Sequence, residues 1–196
     1  MRIIGITGGI GTGKTKVLNI LHDNFGAYIV EADKVAHQLM LPGNEIYKEL
    51  VSCFGEEILT EAKEVDRQKL SGIVMNDETS LQKLNSIVHP GVKAFIRHDI
   101  EEKKAQDVEY YIIEAALLIQ DNYKEICDEI WAVTADLEIR ISRLEENRGF
   151  TKEKALKYIK NQPVEAFYSS NSDAVIVNNG AESDLIKSID DLLHVC

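Results

Sequence analysis

Apolar positions along the chain fall into two kinds of pattern, short continuous runs and longer stripes of helical period. The run Ile3-Ile4-Gly5-Ile6 reads as a buried parallel strand over Arg2 to Ile6. Helical period follows from about Gly13 to Asn24 and closes at Phe25-Gly26. Ala27-Tyr28-Ile29-Val30 is a second short run, and it delivers Glu31-Ala32-Asp33 to its C-terminal end. Val108 to Ile113 reads as a third strand ending at Glu114, Glu129 to Val133 as a fourth, and Ala174 to Val177 as a fifth. A helix is expected from about Asp136. Another runs from Glu182 to Val195, with Leu185, Ile186, Ile189, Leu192 and Leu193 on a core-facing stripe.

Between the second and third strands, from Lys34 to Asp107, the period is mostly helical. Val35, Leu39 and Met40 form one face, broken at Pro42-Gly43, and Ile46, Leu50 and Val51 form another before Phe54-Gly55. Leu70, Ile73 and Val74 follow, then Leu81, Leu84, Ile87 and Val88. His89-Pro90 is expected to end that helix, because the residue before a proline is pushed away from helical angles. Val92, Phe95, Ile96 and Ile100 then begin the next one. A crossover of this length is too long for a plain strand–helix connection and reads as a helical substrate-binding insertion.

The chemistry concentrates where the first strand meets the first helix. Gly8, Gly13, Lys14 and Thr15 fill G-x-x-x-x-G-K-[ST], the phosphate-cradling P-loop, in the strand-to-helix setting that it requires. Glycines at 8, 9, 11 and 13 let the backbone curl until its N–H groups converge on an anion, and the helix N-terminus adds positive potential. Gly9, Gly11, Thr12, Gly13, Lys14 and Thr15 are therefore the expected ATP contacts, with Lys14 on the β- and γ-phosphates, Thr15 on Mg²⁺, and Lys16 as a further contact. The fold expected is α/β, a three-layer P-loop architecture with a parallel five-stranded sheet. Its core covers 1–33 and 108–196, with a helical insertion over 34–107 and a helical lid near 138–165. Ligands of such sheets sit outside the C-terminal strand ends, so Asp33 should come near the mouth of the loop. Glu114 occupies the usual place of the carboxylate that orients the metal, and Asn178-Asn179-Gly180 makes a turn that lines the adenine side.

Charge changes this picture locally. The whole chain carries −11 at neutral pH, which excludes a general nucleic-acid-binding surface. From Glu138 to Lys160, however, seven bases outnumber four acids. Most of the lysines read as a solvated helix face, whereas Arg143 and Arg148 suit a lid closing over polyphosphate, since guanidinium is planar and bidentate. Cys53, Cys127 and Cys196 lack metal or C-x-x-C spacing and fit reduced thiols in a cytoplasmic protein. Met1-Arg2 leads straight into the first strand, so neither a signal peptide nor a membrane span is expected. The length of 196 residues fits one domain with an insertion, and a monomer is expected.

The chain also resembles the dephospho-CoA kinase family over nearly its whole length. The resemblance rests on Thr7-Gly8-Gly9-Ile10-Gly11, Glu31-Ala32-Asp33, Pro42-Gly43, Phe54-Gly55, Val65-Asp66-Arg67, His89-Pro90, Arg143-Leu144, Gln162 and Ala174 to Gly180 in this order. It implies transfer of the γ-phosphoryl of ATP, with Mg²⁺, to the 3′-hydroxyl of dephospho-CoA. It implies Asp33 as catalytic acid–base or metal-holding carboxylate, Lys14 and Arg143 as catalytic cations, and Arg148 and Asn178 as ATP contacts. Thr7, Asp33, Arg67 and His89 would then contact the acceptor, and Thr15 and Glu114 the metal. The sequence departs from the family pattern at several points. Glu114-Ala115-Ala116 stands where the family has D-x-P, and Asn147 holds the second arginine position of the lid, with Arg148 next to it. On a helix that one-residue shift turns the side chain by about 100°, so Arg148 substitutes only if the lid is irregular there. A base common before the fifth strand is missing from Phe167 to Asn171, and Lys16 replaces a frequent Thr. The rival readings are another small-molecule kinase for nucleosides or nucleotides, a GTPase switch, which lacks an N-K-x-D segment here, and an ATP-holding module without turnover.

Overall fold

The computed structural model describes residues 1–194, so Val195 and Cys196, the expected helix end and the third cysteine, lie outside the described residues. In chain order the elements are β1 (Arg2–Thr7), α1 (Lys14–Phe25), β2 (Tyr28–Glu31), α2 (Ala32–Leu39), α3 (Glu45–Phe54), α4 (Arg67–Val74) and α5 (Glu78–Lys104). There follow β3 (Tyr110–Glu114), β4 (Glu129–Thr134), α6 (Leu137–Arg148), α7 (Lys152–Lys160), α8 (Glu165–Ser170), β5 (Ala174–Val177) and α9 (Glu182–Leu193). The chain divides into two compact units, residues 1–29 with 104 onward, and residues 30–103.

β1, β3, β4 and β5 belong to the first unit and the unit boundary falls within β2; the sheet has the order β2-β3-β1-β4-β5. β1 lies at its centre, parallel to β3 and β4, and β5 runs parallel to β4. In register, Ile6 stands beside Glu114 and Thr7 beside Ala132, so the residue entering the P-loop and the acid ending β3 share one end of the sheet. The strands read as continuous apolar runs because helices cover both faces. Ile4, Ile6, Ile112, Trp131 and Val133 pack in one cluster with Val17, Leu18 and Leu21 of α1 and with Leu185, Ile189 and Leu193 of α9. Gly5 keeps β1 close to its neighbours. A Cβ there would lie 3.0 Å from both the Cys127 sulfur and a Leu118 methyl. Burial pushes the Cys127 thiol up to about 12, so it stays protonated and serves as core. β3 begins at Tyr110 rather than Val108, because Asp107 turns the chain at φ 57°.

The second unit is helical, and it corrects one expectation. His89-Pro90 does not end a helix: α5 runs for 27 residues with Pro90 inside it. An interior proline forfeits one hydrogen bond and costs about 3 kcal/mol. Against this stand the buried Val88, Val92, Ile96 and Ile100, spaced four apart across the proline, each contributing roughly 1.5–3 kcal/mol on burial. Packing therefore outweighs the local preference that the residue before proline expresses. Gly91 is the point at which α5 admits Ile46 of α3, since a Cβ there would run into that side chain. α4 opens on a side-chain cap. The Asp66 carboxylate accepts the N–H groups of Gln68 (3.0 Å) and Lys69 (3.1 Å), which leaves Arg67 exposed as the first helical residue.

Candidate active site

β1 ends at Thr7, which is buried and whose hydroxyl is the one buried polar side-chain atom without a hydrogen-bond partner among the described residues. The loop that follows takes left-handed backbone angles, φ 79° at Gly11 and 93° at Gly13. A Cβ at Gly11 would lie 2.8 Å from the Arg140 carbonyl oxygen, and one at Gly13 would overlap the Asn178 amide. Glycine is thus required at both positions, by conformation and by space. Gly13 also caps α1, and having no side chain it leaves the N-terminal turn of that helix open to an anion. Lys14 Nζ donates to the Gly8 carbonyl (2.9 Å) and lies 3.9 Å from the Glu114 carboxylate. Thr15 is exposed in the first turn of α1. The Thr12 side chain instead turns inward, its hydroxyl donating to Gly9 (2.9 Å), so it shapes the loop.

Polar side chains from α6, from the residue after β5 and from the link between α7 and α8 grip the loop backbone. Arg143 of α6 donates to the carbonyls of Thr12 (3.1 Å) and Asn178 (2.9 Å) and to the Asn178 side-chain oxygen (3.2 Å). The buried Asn178, directly after β5, donates its amide to Thr12 as well (2.8 Å). Gln162, between α7 and α8, accepts the Ile10 N–H (2.7 Å), and Arg140 Nε donates to the Ile10 carbonyl (2.9 Å). The Ile10 side chain packs on Ile141, Leu144 and Ala155, which bury the seam between α6 and α7. The loop is therefore held at residues 10 and 12 by hydrogen bonds and at Ile10 by apolar packing. Sequence reasoning gave no role to Arg140 and counted Gln162 only as a family match. Arg140 and Arg143 stand three apart on one helix, and that spacing was the available signal.

The first unit thus brings together Thr7, the loop from Gly9 to Thr15, Glu114, Arg143 and Asn178. Lys16 pairs with Glu182 at the start of α9 (3.1 Å). α6 stays helical through Arg148 and ends at Gly149 with φ 60°, so the irregularity that would let Arg148 stand in for an arginine at Asn147 is absent. Asn147 instead donates to the Arg143 carbonyl (2.9 Å), and Arg148 is exposed. Asp33, Arg67 and His89 belong to the second unit. Asp33 is exposed in the first turn of α2, Arg67 is exposed at the start of α4, and His89 is half-buried within α5. The donors near the loop suit Mg²⁺. They are a hydroxyl at Thr15 and a carboxylate at Glu114, hard oxygens, and no cluster of three His, Cys, Asp or Glu residues is present among the described residues. Such a sparse set fits an ion that keeps several waters and takes its remaining ligands from phosphate.

Parallel sheet, glycine loop and loop-gripping helices together define a P-loop kinase architecture. Solved structures agree: one from Thermus thermophilus superposes with a TM-score of 0.81 at 27% identity, covering 98% of this chain and 96% of that one. The Acinetobacter baumannii shikimate kinase shares the fold at a TM-score of 0.52 and 15% identity, covering 98% of this chain and 93% of its own. The family model for dephospho-CoA kinase matches residues 2–184. A dephospho-CoA kinase from Carboxydothermus hydrogenoformans is 37% identical, covering 91% of this chain and 86% of its own. Its counterpart from Lactobacillus johnsonii is 33% identical, covering 97% and 96%. This chain belongs to the dephospho-CoA kinase family.

Proposed function

We propose that the protein transfers the γ-phosphoryl group of ATP to the 3′-hydroxyl of dephospho-CoA, releasing ADP and coenzyme A. The observation that carries this reading is the built P-loop, with Lys14 resting on Gly8 beside Glu114, in a chain matched by the family from residue 2 to 184. Catalysis of this kind is mostly positioning and charge stabilisation. The N–H groups from Gly9 to Thr15 hold the polyphosphate, and Lys14 meets the β- and γ-oxygens. Thr15 and Glu114 would hold Mg²⁺, which would supply positive charge against the polyphosphate. Arg143 serves as a positioning residue, since its terminal nitrogens fix the curvature of the loop, and Asn178 backs the adenine side. Lys16 contributes only long-range potential.

Asp33 takes the proton from the acceptor hydroxyl, while Thr7, Arg67 and His89 hold the acceptor. The 34–107 segment is the CoA-binding insertion and 138–165 the lid. The protein works as a cytoplasmic monomer with small-molecule partners alone. Among the described residues no helix is long and apolar enough to cross a bilayer.

A coupled ADP-release assay with Mg-ATP and a panel of acceptors tests the reading. Dephospho-CoA is expected to exceed nucleosides and nucleotides by orders of magnitude. Equal ADP release without any acceptor would overturn it. Asp33→Asn is expected to lower kcat at least about a hundredfold, within the range of general acid–base contributions. A near-normal kcat would remove Asp33 from that role.

A further inference from the structure

Arg140 is only 8% exposed, yet no carboxylate lies within ion-pair distance of it among the described residues. Its guanidinium carries five N–H donors. The one on Nε is used by the Ile10 carbonyl at 2.9 Å, and the remaining four, on the terminal nitrogens, meet no protein acceptor among the described residues. Those nitrogens are not sealed in the core, because Thr7 supplies the only fully buried, unpartnered polar side-chain atom described. Burial pulls the Arg140 guanidinium below its ordinary value, and the neighbouring Glu165 and Tyr168 offset this only in part. A cation desolvated to this degree without a partner is costly. An incoming anion would relieve that cost.

The place of the guanidinium says which anion. Gly9 has no side chain, and a Cβ there would lie 2.5 Å from Arg140 Nη2. The glycine is what admits the guanidinium to the loop. Lys14 Nζ, the group that marks the β/γ end of a bound polyphosphate, rests on the adjacent Gly8. Arg140 therefore flanks the terminal-phosphate end of the loop rather than the end at the start of α1. Tyr168, the neighbour of Arg140, belongs to the segment 167–171 that lacks a base, and Asn147, two turns further along the same helix, is the other position without one.

We propose that Arg140 is a catalytic residue whose terminal nitrogens bind the γ-phosphoryl oxygens of the nucleoside triphosphate and take up their charge during transfer. This rests on the kinase reading above. In the step, the bond from the γ-phosphorus to the β,γ-bridging oxygen breaks and the bond to the acceptor oxygen forms. The acceptor's proton leaves to a base, and Arg140 keeps its own protons throughout.

Titration calorimetry of the full chain with Mg-ADP and with the non-hydrolysable β,γ-imido analogue of Mg-ATP reads the contact directly. For Arg140→Gln, affinity for the analogue is expected to fall about tenfold or more, with ADP affinity within about twofold of the parent, and kcat to fall at least about a hundredfold. Arg140→Lys, which keeps the charge but not the fork, should lie between. It also serves if the glutamine variant melts at a much lower temperature. Equal losses for ADP and the analogue, or no loss for either, would overturn the proposal and leave Arg140 a brace for Ile10. If the parent protein phosphorylated a different acceptor while Arg140→Gln kept the triphosphate-selective defect, the acceptor assignment would fall and this inference would stand.

Discussion

Thr7 carries a conflict between stability and use at the scale of one side chain. The residue is 1% exposed and its hydroxyl has no hydrogen-bond partner among the described residues, at the last position of β1 before the glycines. A buried hydroxyl left unpaired costs about 1–3 kcal/mol. Valine has nearly the same shape without that cost. Thr7→Val is therefore expected to raise the melting temperature by about 2–4 °C for each kcal/mol recovered in a chain of this size. Its kcat/KM for the acceptor should fall, because the hydroxyl is the group proposed to meet it. Thermal melting and steady-state kinetics on the same preparation check both signs. A lower melting temperature would mean that the hydroxyl is satisfied within the fold. The P-loop residues were legible in sequence because glycine, lysine and threonine at that spacing serve one chemistry. The grip on the loop was not, because Arg140, Gln162 and Asn178 come from 130 to 166 positions away and their partners are backbone atoms, which carry no residue signature.

At the scale of elements, legibility followed how far local signals agree with packing. β5 was read to the residue, since Ala174 to Val177 is apolar and the turn after it is unambiguous. α1 was read to within a residue at each end, because Gly13 and Gly26 punctuate it. α5 was misread because a strong local signal, Pro90, was overruled by a stripe that only packing reveals. The same helix offers a test. Gly91 is helical and has no unusual angle, so its absence of a side chain answers to space: a Cβ would run into Ile46 of α3. Overpacking of this sort costs about 1–3 kcal/mol. Ordinary helix propensity alone would make Gly91→Ala stabilising by roughly 1 kcal/mol. Urea unfolding separates the two. The variant is expected to be less stable than the parent, and the double variant Gly91→Ala with Ile46→Val should recover part of the loss.

For the molecule as a whole, Arg2 fastens the beginning of the described chain to its end. Its guanidinium pairs with Glu129 of β4 (2.6 Å) and donates to the carbonyls of Leu192 (3.1 Å) and Leu193 (2.9 Å) in the last turn of α9. Glu129 also accepts the indole N–H of the buried Trp131 (3.0 Å). Its carboxyl is held below the usual carboxylate range, first by the hydrogen bond from Arg2. A depressed folded value means that this contribution is complete above the unfolded carboxylate value. It is lost as pH falls through the folded one. The group is about 30% exposed on its side chain, so the pair contributes on the order of 1 kcal/mol and not the several expected of a buried one. A second effect runs the other way: at −11 the chain repels itself, and protonating its many surface carboxylates relieves that repulsion as pH falls. The pH profile of the parent alone therefore mixes opposite trends, whereas its difference from Glu129→Gln isolates the clasp. Urea midpoints are expected to favour the parent by about 1 kcal/mol at pH 7, and the gap is expected to narrow as pH falls below the ordinary carboxylate value toward the lower one that Glu129 has in the folded chain. A gap that persisted unchanged to pH 3 would show that the glutamine loses packing around Trp131 instead of charge beside Arg2.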